Sequence, residues 1–179
     1  MDEQTKQKRK DIVGWVIYIA VLLAIIITFR CFLMIGRVPS ESMEPTLMVH
    51  DWLIGDRHAY EEEKPQRGDI VMFYQKDENE TMVKRVIGLP GETVEIKDGK
   101  VYIDGSETAL DDSFIPEKMQ GSFGPYTVPD NCYFMLGDNR NDSKDSRFWK
   151  NTFVRFDQIV GKAVVRYYPS IKLLGYEEP

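Results

Sequence analysis

Residues Ile12 to Phe29 form an unbroken run of 18 residues without a single charge, and no other stretch constrains the fold as strongly. At ~1.5 Å per residue such a run makes a helix about 27 Å long, close to the hydrocarbon thickness of a bilayer. A removable secretory signal is the competing reading, but its apolar core runs about 7–15 residues and closes on a small-x-small site. Nothing of that form closes this run, and Ser40-Glu41-Ser42 lies too far downstream. Residues 12–29 are therefore read as an uncleaved transmembrane anchor. Lys6, Lys8, Arg9 and Lys10 precede it, so the positive-inside bias puts tail 1–11 in the cytoplasm and residues 30–179 outside. Arg30 and Arg37 weaken that asymmetry without reversing it. Ile171 to Gly175 is too short for a second span.

The roughly 145–150 residues after the anchor suit one domain with a real core. Cys31 and Cys132 offer neither a disulfide framework nor a metal-ligand pair. Only His50 and His58 are present, and no His-Glu-x-x-His; zinc hydrolysis lacks nitrogen ligands here, and both histidines read as structural. A net charge of −6 argues against a nucleic-acid surface, which needs a concentrated basic face.

Beyond the anchor no long helical periodicity appears. Short strands with turn punctuation are expected at Trp52–Ile54, Ile70–Tyr74, Met82–Ile87, Thr93–Ile96, Val101–Ile103, Tyr133–Leu136 and Ala163–Tyr168. Asp98-Gly99 between two of them is a hairpin signal, since a tight turn there needs positive φ. Charge runs at Glu61–Lys64 and Asp77–Glu80 read as solvated connections. Residues 105–131, rich in Gly, Pro, Ser and Asp, read as a loop or small excursion from the main sheet. The fold class is mostly β: an antiparallel domain attached to one N-terminal transmembrane helix.

Three polar segments carry the chemistry. Pro39-Ser40-Glu41-Ser42-Met43-Glu44-Pro45 is, alone, an ordinary proline-bounded turn. Lys84 stands in the apolar strand Met82-Val83-Lys84-Arg85-Val86-Ile87. A serine hydroxyl needs a neighbouring base, and a lysine serves only once its ammonium has lost its proton. Bringing its pKa from ~10.4 toward 7–8 costs the charged form roughly 3–4 kcal/mol, which burial can supply. Met82 and Val86 alternate onto the strand face of Lys84. Arg85 faces the other way, and a guanidinium is not deprotonated in proteins; chemistry rather than periodicity selects Lys84. The third segment, Gly137 to Trp149, is a dense polar loop that does not fit a calcium loop, with Arg140 and Ser143 at positions three and six counted from Asp138. Gly-x-Ser-x-Gly and Ser-x-x-Lys are absent, so any Ser-Lys pair must be assembled across the fold.

Together Pro39–Leu47, Arg67-Gly68-Asp69-Ile70-Val71, Lys84–Glu92 and Gly137–Trp149 resemble, in order, the type I signal peptidase family, membrane-bound serine-lysine endopeptidases that remove signal peptides from exported proteins. The dimensions look more like the Gram-positive bacterial branch; the eukaryotic reticulum branch uses histidine at the position of Lys84. The resemblance implies Ser42 as nucleophile and Lys84 as general base. It implies Ser40 as an oxyanion donor beside the Ser42 backbone N–H. It further implies that Ser143 hydrogen-bonds and orients the lysine, that Asp145 and Arg147 form a supporting ion pair, and that Asp138 and Arg140 brace the loop. Lys150 departs from the glycine that often follows the Arg-Phe-Trp triplet.

The implied substrate is an extended preprotein segment with small side chains at −1 and −3, in shallow pockets expected to be lined by Val38, Pro39, Met43, Met82 and Val83. Expected partners are preprotein signal peptides, the lipid bilayer and the protein translocation machinery; no metal or organic cofactor is expected. Two other readings stand beside this one. A self-cleaving repressor-type serine-lysine protease is disfavoured by the anchor and by the lack of a DNA-binding domain. A catalytically inactive preprotein-binding relative is disfavoured by intact Ser42 and Lys84.

Overall fold

A computed structural model describes residues 3–174. Residues 1–2 and 175–179, the ends of the expected tail and exterior domain, including Gly175 of the short C-terminal apolar segment, lie outside the described residues. Two units divide between Leu33 and Met34. The first is helix α1 (Glu3–Phe32). Its portion Lys8–Phe32 is long and apolar enough to cross a membrane, and none of it is buried. Apolar side chains surround this helix, a pattern that suits lipid better than one side of a water-soluble core.

The second unit is built of strands. In chain order they are β1 (Leu33–Arg37), β2 (Trp52–Asp56), β3 (Ile70–Gln75), β4 (Glu80–Gly88), β5 (Thr93–Lys97), β6 (Lys100–Ile103), β7 (Phe123–Thr127), β8 (Cys132–Leu136), β9 (Val154–Arg155), β10 (Ile159–Tyr168) and β11 (Lys172–Leu173). The larger sheet runs β1-β2-β10-β3-β4-β8-β9 with β11 beside β10, and the smaller runs β6-β5-β7. Registered pairs in both sheets are antiparallel. All seven expected strands are present, so the mostly antiparallel β architecture read from the alternation is the observed one.

Four strands escaped the pattern. β1 follows directly on the apolar run and is masked by it. β9 and β11 are two residues each, too short for periodicity to register. β7 lies inside 105–131, where Gly124-Pro125 reads as turn punctuation. Because β7 is an edge of the small sheet, proline is tolerated there. The excursion is therefore tied to β5 by a ladder. Asp98 and Gly99 both have positive φ between β5 and β6, the hairpin turn their sequence implied.

β4 is central between β3 and β8, and its second half is buried. Three apolar clusters surround it: Val38, Met43, Leu47 and Met72 with Val83 against them; Ile87, Val94, Ile96 and Phe134; and Val71, Phe73, Val86 and Met135 with Met82 against them. Lys84 and Arg85 are thus carried into the interior by the apolar residues flanking them.

Candidate active site

Ser42 sits in a 3-10 turn, Glu41–Met43. The turn is pinned from below, because Met43 is 1% exposed and Leu47 is fully buried; each such side chain contributes about 1.5–3 kcal/mol by leaving water. Leu47 N–H donates to Met43 O at 2.9 Å and Glu44 N–H to Glu41 O at 2.9 Å. From the polar loop after β8, Asn139 N–H donates to Ser42 O at 3.1 Å, and Asn139 Nδ2 donates to Glu41 O at 3.2 Å. The turn is thus held by core burial on one side and by hydrogen bonds on the other. Ser40 Oγ lies 3.3 Å from Ser42 Oγ.

Lys84 is only 4% exposed, and its Nζ donates to Ser42 Oγ. Burial pulls its pKa from 10.5 down to about 8; Asp145, Asp138 and Glu80 oppose that shift, and Arg147 assists it. Desolvation wins because none of the three carboxylates is paired with Lys84. Asp138 and Asp145 are committed to guanidinium groups.

Those commitments organise the loop 137–149. Asp138, fully buried, takes Arg85 in a two-pronged ion pair at 2.8 and 2.7 Å. Arg85 also donates to Gly68 O at 2.9 Å. Asp145, fully buried, receives Arg147 at 2.8 Å on each oxygen and the Gly137 N–H at 3.0 Å. The Arg140 guanidinium grips Asp112 in the 105–131 excursion. Its Nε donates to Gly137 O at 3.1 Å. Asp145→Ala leaves a buried guanidinium without its carboxylate and is expected to destabilise the folded unit by about 3–5 kcal/mol, measured as a lower urea midpoint.

Ser143 departs from what the resemblance implied. Its hydroxyl is buried and makes no hydrogen bond, while the Lys84 amine donates to Ser42 Oγ. A Cβ on Gly137 would meet Ser143 Oγ at 2.2 Å and Ser42 O at 2.3 Å, so the Ser143 hydroxyl and the Ser42 carbonyl are neighbours across the bare Gly137 Cα.

Ser40, Ser42 and Lys84 open into a cleft of about 790 Å³. Val38, Pro39, Met43, Met82 and Val83 all line it, so the structure brings the five expected pocket residues to the cleft that also holds Ser42 and Lys84. Lys144 and Glu78, also on the cleft, form a 2.6 Å ion pair. Among the described residues no three His, Cys, Asp or Glu side chains converge to hold a metal ion.

Sequence reasoning missed three participants. Arg85 was set aside as a rival base, whereas a guanidinium in an apolar strand signals a buried carboxylate partner. Asn139 and Asp112 carried no local signal, because their roles depend on contacts 97 and 28 residues apart in the chain, from Ser42 to Asn139 and from Asp112 to Arg140.

The model of the family described as "Signal peptidase, peptidase S26" matches residues 10–168. "Probable signal peptidase I-2" of Synechocystis sp. is 42% identical over 157 residues, 84% of this chain and 69% of the relative. "Signal peptidase I" of Leptolyngbya laminosa is 43% identical over 144 residues, covering 76% and 69%. "Signal peptidase I P" of Bacillus subtilis subsp. natto is 32% identical over 180 residues, covering 94% and 96%. The cyanobacterial relatives are longer than this chain, whereas the Bacillus relative is matched almost end to end.

Proposed function

Since the chain belongs to the signal peptidase family, peptidase S26, we propose that Ser42 is its nucleophile and Lys84 its general base. The activity is that of a type I signal peptidase, a serine endopeptidase that removes N-terminal signal peptides from exported preproteins. The single observation that carries the assignment of the dyad is the Lys84 Nζ to Ser42 Oγ hydrogen bond inside the cleft.

An extended preprotein segment enters the cleft with small side chains at −1 and −3 against Val38, Met43, Met82 and Val83. Neutral Lys84 takes the Ser42 proton as Oγ attacks the −1 carbonyl. Ser40 Oγ–H and the Ser42 backbone N–H receive the developing oxyanion. As the tetrahedral intermediate collapses, the Lys84 ammonium returns its proton to the leaving amine, and the mature protein departs. Water then gives a proton to Lys84 and attacks the ester, and the signal peptide leaves with a new carboxylate while Ser42 Oγ recovers its proton. Buried Asp145–Arg147 and Asp138–Arg85 pairs hold the loop that keeps Ser42 and Lys84 aligned.

Helix α1 anchors the chain in a bilayer, with tail 1–11 cytoplasmic and residues 30–179 extracytoplasmic. The test is cleavage of an Ala-x-Ala preprotein by the full chain in detergent, with the products sequenced. A cut after the second alanine, lost in Ser42→Ala, is expected. A folded wild type that binds the preprotein and leaves it whole makes the chain a binding protein instead.

A further inference from the structure

The 105–131 excursion reaches back to the catalytic loop at several separate points. Asp112 accepts both terminal nitrogens of Arg140, one at 2.9 Å, and the Arg140 side chain is 1% exposed. The Arg85 guanidinium stacks 4.5 Å from the Phe114 ring centre. Gln120 N–H donates to Asn141 Oδ1 at 2.8 Å, and Asn141 Nδ2 donates to Lys118 O at 3.1 Å. The contacts to Arg140 and Asn141 fall on the loop that holds Ser42, and the contact to Arg85 on the strand that carries Lys84, not on the small sheet where the excursion has its own ladder.

We propose that Asp112 is a positioning residue for the Ser42–Lys84 pair. Clamped by Asp112, Arg140 holds Gly137 O through Nε at 3.1 Å. Gly137 in turn packs against the Ser42 carbonyl, with space for no side-chain atom between them. One residue on, Asp138 draws Arg85 into place beside Lys84 on the same strand. The chain of contact therefore runs from Asp112 through a buried guanidinium to the backbone on which the nucleophile rests. Asp112 touches neither substrate nor the reacting atoms. Released from Asp112, Arg140 keeps a buried positive charge with no carboxylate and must move toward water, taking its hold on Gly137 with it. The inference rests on the assignment of Ser42 and Lys84 given above.

The test uses the full chain in detergent and an Ala-x-Ala preprotein, comparing wild type, Asp112→Ala, Asp112→Asn, Asp112→Glu and the exposed control Glu117→Ala. Asp112→Ala is expected to lower kcat by about 10- to 100-fold with KM nearly unchanged, the size seen when a distant change misplaces reacting groups. The pH limb of kcat/KM is expected to move above its wild-type position, because a loosened loop admits water to Lys84. Asp112→Glu is expected to recover most of both, Asp112→Asn part, and Glu117→Ala to match wild type. The proposal is overturned if Asp112→Ala lowers the melting temperature but leaves kcat and the limb in place. It is equally overturned if every Asp112 variant loses activity only in step with its folded fraction. A wild type that does not cut, or whose cutting survives Lys84→Met, fails in a different way: the Ser42–Lys84 assignment falls first, and the role of Asp112 falls with it.

Discussion

Lys84→Met is expected to lose cleavage by about 10³-fold or more, near the upper range of what a positioned general base supplies, while folding as well as wild type or better. The two halves of that expectation share one cause. Burial that brings Lys84 to a pKa of about 8 also charges the folded protein for keeping its cation at neutral pH, by roughly 3 kcal/mol. Methionine fills a similar volume without a charge, and replacing a buried ion by an apolar group of its size is often neutral or stabilising. Lys84→Arg separates proton transfer from charge, because a guanidinium keeps its proton; it is expected to be as inactive as the methionine variant. Ser42→Ala should be at least as severe, and the double variant no worse than the worse single, since two groups that act as a unit are not additive. Circular dichroism and a melting curve beside each rate distinguish loss of chemistry from loss of fold.

Gly137→Ala is the second large effect expected, and it comes from geometry alone. The new methyl would lie 2.2 Å from Ser143 Oγ, 2.6 Å from Ser143 Cβ and 2.3 Å from Ser42 O. The Ser143 hydroxyl can rotate away; the Ser42 carbonyl is backbone and cannot. Relief must move the turn that carries Ser42, the proposed nucleophile, or the loop, and a displacement near 1 Å at a reacting group costs about 10²-fold in rate. Overpacking of a closed site also lowers stability by about 1–3 kcal/mol. Adding Ser143→Gly removes only the side-chain part of the clash, so the double variant is expected to regain stability and little activity. Kinetics and a urea titration on the same preparations check both.

What the sequence made legible were features carried by local pattern. The long apolar helix, the seven expected strands and the Asp98-Gly99 turn follow from hydrophobic period and turn chemistry within ten to twenty residues. Ser42 and Lys84 were legible as chemical types, and their pairing came from the resemblance; neither strand alternation nor spacing brings two residues 42 positions apart into contact. The Asp145–Arg147 pair was legible only through the same resemblance. The Arg85–Asp138 and Arg140–Asp112 pairs were not, because a buried guanidinium states that it needs a carboxylate without stating which. β7 was hidden by Gly124-Pro125, whose turn signal is outweighed in the fold by a free edge on the small sheet. Ser143 shows the limit of transfer by resemblance: its position beside Gly137 agrees with a place in the site, and its hydrogen bond to Lys84 is not made.

The proposed dyad makes its sharpest demand on the protonation of Lys84, so the deciding measurement is the pH dependence of kcat/KM for an Ala-x-Ala preprotein in the wild-type chain. Only the neutral amine can accept the Ser42 proton, and the amine is lost as pH falls through its pKa. The rate should therefore climb about tenfold per pH unit below the pKa and level off above about pH 8, where Lys84 titrates. A limb that levels near pH 6.5, the range of an ordinary histidine, or one still rising past pH 10, would contradict Lys84 as the base held beside Ser42.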